Sequence, residues 1–358
     1  MSDGGRVTVI GGGSWGTTLA VLAARAGRPA ALWVRDPAMA ATMRQTRRNP
    51  RHVPMLDLPD AVAIGADPAE AVAGAEVVIF AIPTHSMRAV AEAFRPLLPT
   101  DAVVASVAKG LERGTLRRMT EVLTEALPSV DPSAICAISG PNLATEIAQD
   151  QPAATVVAAA GHAAAERVRD ALMTKRFRLY THTDVIGVEI GGALKNVIAL
   201  GAGMGVGLGA SENAKAAFVT RGIAEIARLG VALGANPLTF AGLAGLGDLI
   251  ATCASPLSRN RRAGQMLIEG VPLAEIGTRL GEVAEGIPTA AAARELGHRH
   301  GVDLPITEQV CAVVFEGRPP LEAIDALMGR DPRDELEGIV PGGTFGEPAG
   351  GDETGRPD

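Results

Sequence analysis

Three short segments in the second half of the chain hold residue types that together could move a proton beside a phosphorylated ligand. In VEIGGALKNVIALGAG, Lys195 is the only basic residue between His182 and Lys215, and its surroundings are apolar and rich in glycine. An amine in that setting loses proton affinity through desolvation, which moves it toward the range of a general acid or base. Gly192, Lys195, Asn196 and Ala199 fall on one face at helical spacing, and the two small residues leave room for a ligand there. The alternative is a lysine that runs along the surface to water. In GLAGLGDL, Asp248 is a carboxylate in an apolar turn. Buried, it needs a cationic or hydrogen-bonding partner, which a lysine would supply; the other reading is a plain helix cap. In SPLSRNRRAGQML, Ser258, Arg259 and Asn260 stand just ahead of an expected helix. Hydroxyl, guanidinium, amide and free helical N–H groups make a phosphate seat. A merely capped helix is the rival, but basic first-turn residues oppose the macrodipole unless an anion lies near.

The first half supplies a different chemistry. RVTVIGGGSWGTTLAVLAARAG reads as strand, glycine turn and helix, with Gly11, Gly13 and Gly16 in the G-x-G-x-x-G positions. The first permits the tight turn, the second lets a pyrophosphate approach the backbone, and the third allows close helix–strand packing. The second strand ends in LWVRD, with Arg35 ahead of Asp36. An acidic residue in this region would bind a ribose hydroxyl, whereas a guanidinium can pair with a 2′-phosphate. Arg35 therefore favours NADPH, with NADH left open, and Arg47 and Arg48 would add to its positive field. Lys109 in SVAKGLE, and Gly140, Pro141 and Asn142 in ISGPNLATE, follow two further expected strands. Open α/β sheets bind ligands at that carboxyl edge.

These residues need a scaffold, and the pattern of apolar runs predicts one. Val/Ile-rich strands are expected at 6–10, 30–34, 61–64, 76–82, 102–107 and 134–138. They alternate with helices such as 15–26, 87–97 and 116–127, as in a doubly wound parallel sheet of Rossmann type. Runs at 153–159 and 176–180 flank a helix at 163–173 and extend the sheet. After about Asp184 the strand signals stop, and 186–202, 214–233, 261–269, 289–300 and 307–315 show helical period. The expected division is a dinucleotide-binding domain over 1–184, a helical substrate domain over 185–330, and a tail over 331–358.

Composition narrows the classes further. The net charge is −7, and the tail carries eight acidic residues against two arginines, which leaves a nearly neutral body. Nothing electrostatic points to nucleic acid as a partner. The tail's Gly/Pro content and lack of apolar periodicity predict disorder. Cys136, Cys253 and Cys311 are far apart without metal-ligand spacing, so reduced thiols, no metal and a cytoplasmic location are expected. No signal peptide is apparent at the N-terminus. The apolar stretch 185–210 is long enough to raise the membrane question, but Glu189, Lys195 and its glycines fit a buried helix better.

Taken in order, GGGSWG, AKGLE, SGPNLATE, GGALKNVIALGAG, TRGIAE, AGLGDL and SRNRR resemble the bacterial NAD(P)-dependent glycerol-3-phosphate dehydrogenases, from about Arg6 to Gly329. The resemblance implies that Ser14, Trp15 and Arg35 bind the cofactor, with Ala144, Val283 and Glu285 adding contacts. It implies that Lys109 reaches cofactor and substrate, that Gly140 and Asn142 touch substrate, and that Lys195 is the general acid/base supported by Asp248. Ser258, Arg259 and Asn260 would hold the phosphate of dihydroxyacetone phosphate or glycerol 3-phosphate, Arg259 also lying near the cofactor. A homodimer serving phospholipid synthesis is implied as well. The chain departs from the family pattern at Gly12, usually Ala, at Asn142, usually Ser or Thr, and at His52, usually aromatic. Two rivals remain: a dehydrogenase of a β-hydroxy acid or nucleotide sugar, and a non-catalytic redox sensor. The first lacks a reason for SRNRR, and the second has no need of a lysine–aspartate pair.

Overall fold

The computed structural model describes residues 5–339 except 282 and 333. Ten strands lie in the first half: β1 (Arg6–Ile10), β2 (Ala30–Trp33), β3 (Arg48–Asn49), β4 (Val53–Asp57), β5 (Val62–Gly65), β6 (Ala75–Phe80), β7 (Val103–Ser106), β8 (Ile135–Ser139), β9 (Ala153–Ala159) and β10 (Phe177–His182). Eight form one sheet in the order β10-β9-β8-β7-β6-β1-β2-β5, and β3 with β4 makes a separate antiparallel pair. Most of these strands are buried on both faces, which explains why they read as unbroken Val/Ile/Ala runs. Between them lie α1 (Ser14–Arg25), α2 (Pro37–Thr46), α3 (Pro68–Val72), α4 (Met87–Phe94), α5 (Met119–Ala126), α6 (Ala144–Ala148) and α7 (His162–Leu172).

The six strands β5, β2, β1, β6, β7 and β8 are parallel, and the order reverses between β1 and β6. That reversal is the point at which a doubly wound sheet opens a ligand crevice. β9 and β10 do extend the sheet, but they run opposite to the other six, since β8 pairs with β9 antiparallel. The link from β8 to β9 holds only the five-residue α6, with no long crossover helix of the kind that returns a chain to the start of a parallel strand.

The second half is helical among the described residues: α8 (Val185–Gly207), α9 (Glu212–Ala232), α10 (Asp248–Ala254), α11 (Arg259–Ile268), α12 (Leu273–Leu280), α13 (Gly286–His300), α14 (Pro305–Glu316) and α15 (Pro320–Met328). α8 is long and apolar enough to cross a membrane, yet it is the core helix of this half, with 78% of its most apolar window buried. A helix buried on all sides has no need of a polar face. Its glycines let other backbones touch it: a Cβ on Gly203 would lie 2.0 Å from the Arg261 carbonyl oxygen, and one on Gly264 2.0 Å from that of Leu200. α8 and α11 therefore cross almost backbone to backbone. Asp184 caps α8 by accepting from the Gly187 N–H. The cysteines Cys136, Cys253 and Cys311 are free and buried. Residues 331–339 contain no helix or strand where described, and the rest of the expected disordered tail, from 340, lies outside the described residues.

Candidate functional site

Asp248 is the first residue of α10, and a π-helical turn over Leu243–Gly247 delivers it. That turn packs on α8, where a Cβ on Gly191 would meet the Ala244 carbonyl oxygen at 2.8 Å. Lys195 stands one helical turn further along α8 and so faces the carboxylate. Its Nζ donates to Asp248 Oδ1 at 2.6 Å and to Thr252 Oγ1 at 2.7 Å. The other carboxylate oxygen accepts from Lys109 Nζ at 2.7 Å, and Lys109 also donates to the Gly140 carbonyl at 2.8 Å. The Lys195 side chain is 7% exposed and that of Asp248 2%. One buried anion thus holds two cations, one from each half of the chain.

This geometry sets the proton affinity of the amine. Burial pushes Lys195 down from its usual value to about 8; the charge of Asp248 opposes the fall, and the charge of Lys109 adds to it. A lysine near 8 is protonated in neutral solution and still able to release its proton.

A second chain of amides ties the surrounding elements together. Asn196 Nδ2 donates to the Lys109 carbonyl at 2.9 Å, Asn260 Nδ2 to Asn196 Oδ1 at 2.8 Å, and the Gly286 N–H to Asn260 Oδ1 at 2.8 Å. The Glu285 carboxylate accepts from the Thr84 N–H at 3.2 Å, joining the start of α13 to the loop after β6. Of the three residues expected to form a phosphate seat, Ser258 caps α11 by accepting from the Arg261 N–H, and the Asn260 side chain is occupied as above. Both are buried, while Arg259 between them is exposed. The exposed Arg259 side chain and the first N–H groups of α11 are the groups that could meet an incoming anion here.

At the sheet edge, Gly11 has φ +123°, and a Cβ there would strike the Ala81 carbonyl oxygen at 2.3 Å. A Cβ on Gly16 would lie 2.0 Å from the Gly11 carbonyl oxygen, so the helix start must be bare. Gly13 faces open space, with nothing within 4 Å of a Cβ built on it. Ser14 and Trp15 open α1, and the buried Trp15 Nε1 has no hydrogen-bond acceptor. These features fit a dinucleotide: a cradle no side chain fills, a helix start, and an unused indole donor. Arg35 is exposed at the end of β2, whereas Asp36 is used as the cap of α2, accepting from the Ala38 N–H. The Arg47 and Arg48 guanidiniums, expected to add to the field at Arg35, are both engaged at their own hairpin. Arg47 donates to the carbonyls of Leu58, Pro59 and Val62, and Arg48 pairs with Asp57 at 2.8 Å.

The remaining expected residues lie as follows. Gly140 has φ +149°, and a Cβ on it would meet Thr155 Oγ1 at 2.9 Å. Asn142 donates to that hydroxyl at 3.0 Å and keeps its buried Oδ1 without a donor. Ala144 starts α6. Val283 is 40% exposed, two residues before Glu285. Sequence reasoning passed over Thr252, Asn49 and Thr84. Thr252 carried a signal, since it follows Asp248 by one helical turn; Asn49 and Thr84 did not.

Comparison with known proteins identifies the family of this chain. The profile for the NAD-dependent glycerol-3-phosphate dehydrogenase N-terminus matches residues 6–165, and that for the C-terminus matches 184–325. The chain is 49% identical to a glycerol-3-phosphate dehydrogenase [NAD(P)+] of Frankia casuarinae over 330 residues, 92% of this chain and 98% of that one. It is 50% identical to the one of Corynebacterium kroppenstedtii over 331 residues, 92% and 99% respectively. The crystal structure of glycerol-3-phosphate dehydrogenase from Coxiella burnetii superposes with a TM-score of 0.86 at 34% identity, covering 91% of this chain and 99% of that one.

Proposed function

Because this chain belongs to the NAD-dependent glycerol-3-phosphate dehydrogenase family, we propose that it interconverts dihydroxyacetone phosphate and sn-glycerol 3-phosphate with NAD(P)H. The observation that carries this reading is the buried Lys195 amine, lowered to about 8 and held at 2.6 Å by Asp248. Gly11, Gly13, Ser14, Trp15, Gly16 and Arg35 would hold the dinucleotide, with Ala144, Val283, Glu285 and Arg259 adding contacts. When bound and reduced, that cofactor supplies a hydride to C2 of the ketone.

The chain's own residues do the rest. Protonated Lys195 donates to the carbonyl oxygen and neutralises the alkoxide as it forms. Asp248 keeps the amine aimed and charged, and Thr252 takes a second N–H, which leaves the third for the carbonyl oxygen. Lys109 places a second positive charge beside the reacting oxygen. Arg259 and the N-terminus of α11 anchor the phosphate, and binding energy from that remote group positions C2. The free Asn142 Oδ1 is an acceptor for a substrate hydroxyl. In the reverse direction neutral Lys195 takes the alcohol proton.

Arg35, exposed where Asp36 is committed to a cap, supports a preference for NADPH. The reading extends to the division at 184/185, to a cytoplasmic homodimer and to a supply of glycerol phosphate for phospholipid synthesis. The test is spectrophotometric: NADPH oxidation by the purified protein with dihydroxyacetone phosphate, against NADH and against β-keto acids. No turnover of the triose phosphate with either cofactor would overturn it.

A further inference from the structure

The β3–β4 hairpin interrupts the crossover from α2 to β5 and is anchored firmly. Arg47, in the left-handed region at φ 52°, ties its base to the carbonyls of Leu58, Pro59 and Val62. Two residues on, Asn49 turns inward and is fully buried. Its Nδ2 donates to the Gly12 carbonyl oxygen at 2.9 Å and to Thr17 Oγ1 at 2.8 Å, while its Oδ1 accepts from the His52 N–H at 3.2 Å. Two hydrogens meet two acceptors and the oxygen meets a donor, so the group is matched to an amide and not to a carboxylate. A structural amide could have been satisfied in many places. This one grips the middle residue of the glycine turn, 37 positions away.

The consequence follows from peptide geometry. The Gly12 carbonyl and the Gly13 N–H belong to one peptide unit, and the described chain has no cis bond. In a trans peptide the two point in opposite directions. Drawing the Gly12 oxygen back into the protein therefore turns the Gly13 N–H outward, at the residue where the turn is open. Glycine flanked by glycine has little intrinsic preference to hold that plane, so an external tether is needed. We propose that Asn49 is a positioning residue for the dinucleotide: it locks the Gly12–Gly13 peptide so that the Gly13 N–H is presented to the pyrophosphate. The same side chain fixes the hairpin loop through His52, so the loop and the turn are set as one piece. This rests on the dinucleotide reading above.

The test uses the full-length protein and NADPH as probe, with binding read from nicotinamide fluorescence apart from turnover. Asn49→Asp keeps the size and the acceptor for His52 but sets an oxygen against the Gly12 carbonyl. Its NADPH Kd rises about tenfold or more, the cost of losing an oriented donor to an anion. The KM for dihydroxyacetone phosphate and kcat at saturating NADPH stay within about threefold. Thr17→Val removes the other acceptor of the same amide while leaving the Gly12 tether, and its NADPH Kd stays within about threefold. Wild-type affinity in Asn49→Asp overturns the proposal, as does an equal loss of affinity in Thr17→Val or a fall in kcat that matches the fall in affinity. If Asn49→Asp does not fold, Asn49→Ser takes the same readouts and is judged by the same outcomes. Failure of the wild-type protein to bind either dinucleotide counts against the family reading instead.

Discussion

Lys195 and Asp248, 53 positions apart in sequence, meet at 2.6 Å inside the helical half, and the carboxylate's second oxygen reaches across to Lys109 of the sheet half. The contact joins the two halves through one carboxylate: the sheet half contributes a cation that lowers the proton affinity of the amine. Removing any member of the trio alters the charge felt by the others.

Lys195→Met should test the proton donor directly. A methionine fills the space without an ionisable group, so turnover is expected to fall by about a thousandfold or more. NADPH affinity, measured by fluorescence titration, stays near that of the wild type. Turnover within about tenfold of normal would remove the amine from the reaction.

The pH profile carries a sign that the structure dictates. With Lys195 as the proposed proton donor, the rate of ketone reduction is expected to decline as pH rises through about 8, and that of alcohol oxidation, which would need the neutral amine, to climb over the same range. Asp248 holds the amine above where burial alone would leave it. In Asp248→Asn the reduction limb therefore moves to lower pH, with turnover down about a hundredfold. A limb that stays in place or moves upward would contradict the assigned coupling.

Arg259 is an exposed cation at the start of α11, between the buried Ser258 and Asn260. Arg259→Ala should raise the KM for dihydroxyacetone phosphate about ten- to a hundredfold through loss of a charge-assisted contact to phosphate. Steady-state kinetics at saturating cofactor with an unphosphorylated ketone such as dihydroxyacetone give the control: the variant and the wild type should handle it alike. An unchanged KM for the phosphorylated ketone would dismiss the seat.

Cofactor choice is expected to follow the end of β2. Arg35→Asp places a carboxylate where a 2′-phosphate would lie, and the ratio of kcat/KM for NADPH over NADH should drop about tenfold or more. Asp36, engaged with the Ala38 N–H, stays out of this competition. Equal responses to both dinucleotides would place the determinant elsewhere.

The strands and the long helices were legible because their signals are local. β1 and β9 fall on the bounds read from apolar runs, since a strand covered on both faces must be apolar throughout. The same holds for the glycine turn, whose residues are demanded by backbone geometry within a few positions. Lys195 and Asp248 stood out as charges in apolar surroundings and Lys109 as a cation past a strand end, and the need of a buried charge for a partner is a rule of composition. What the sequence left open depends on contacts between distant segments. The direction of β9, the committed side chains of Ser258 and Asn260, the diversion of Arg47 to backbone carbonyls and the grip of Asn49 on Gly12 are all decided by which surfaces meet. An asparagine, serine or arginine satisfies its hydrogen bonds with whatever donors and acceptors the packed chain brings near. The residue type states that a bond is needed, and the tertiary structure alone decides with whom.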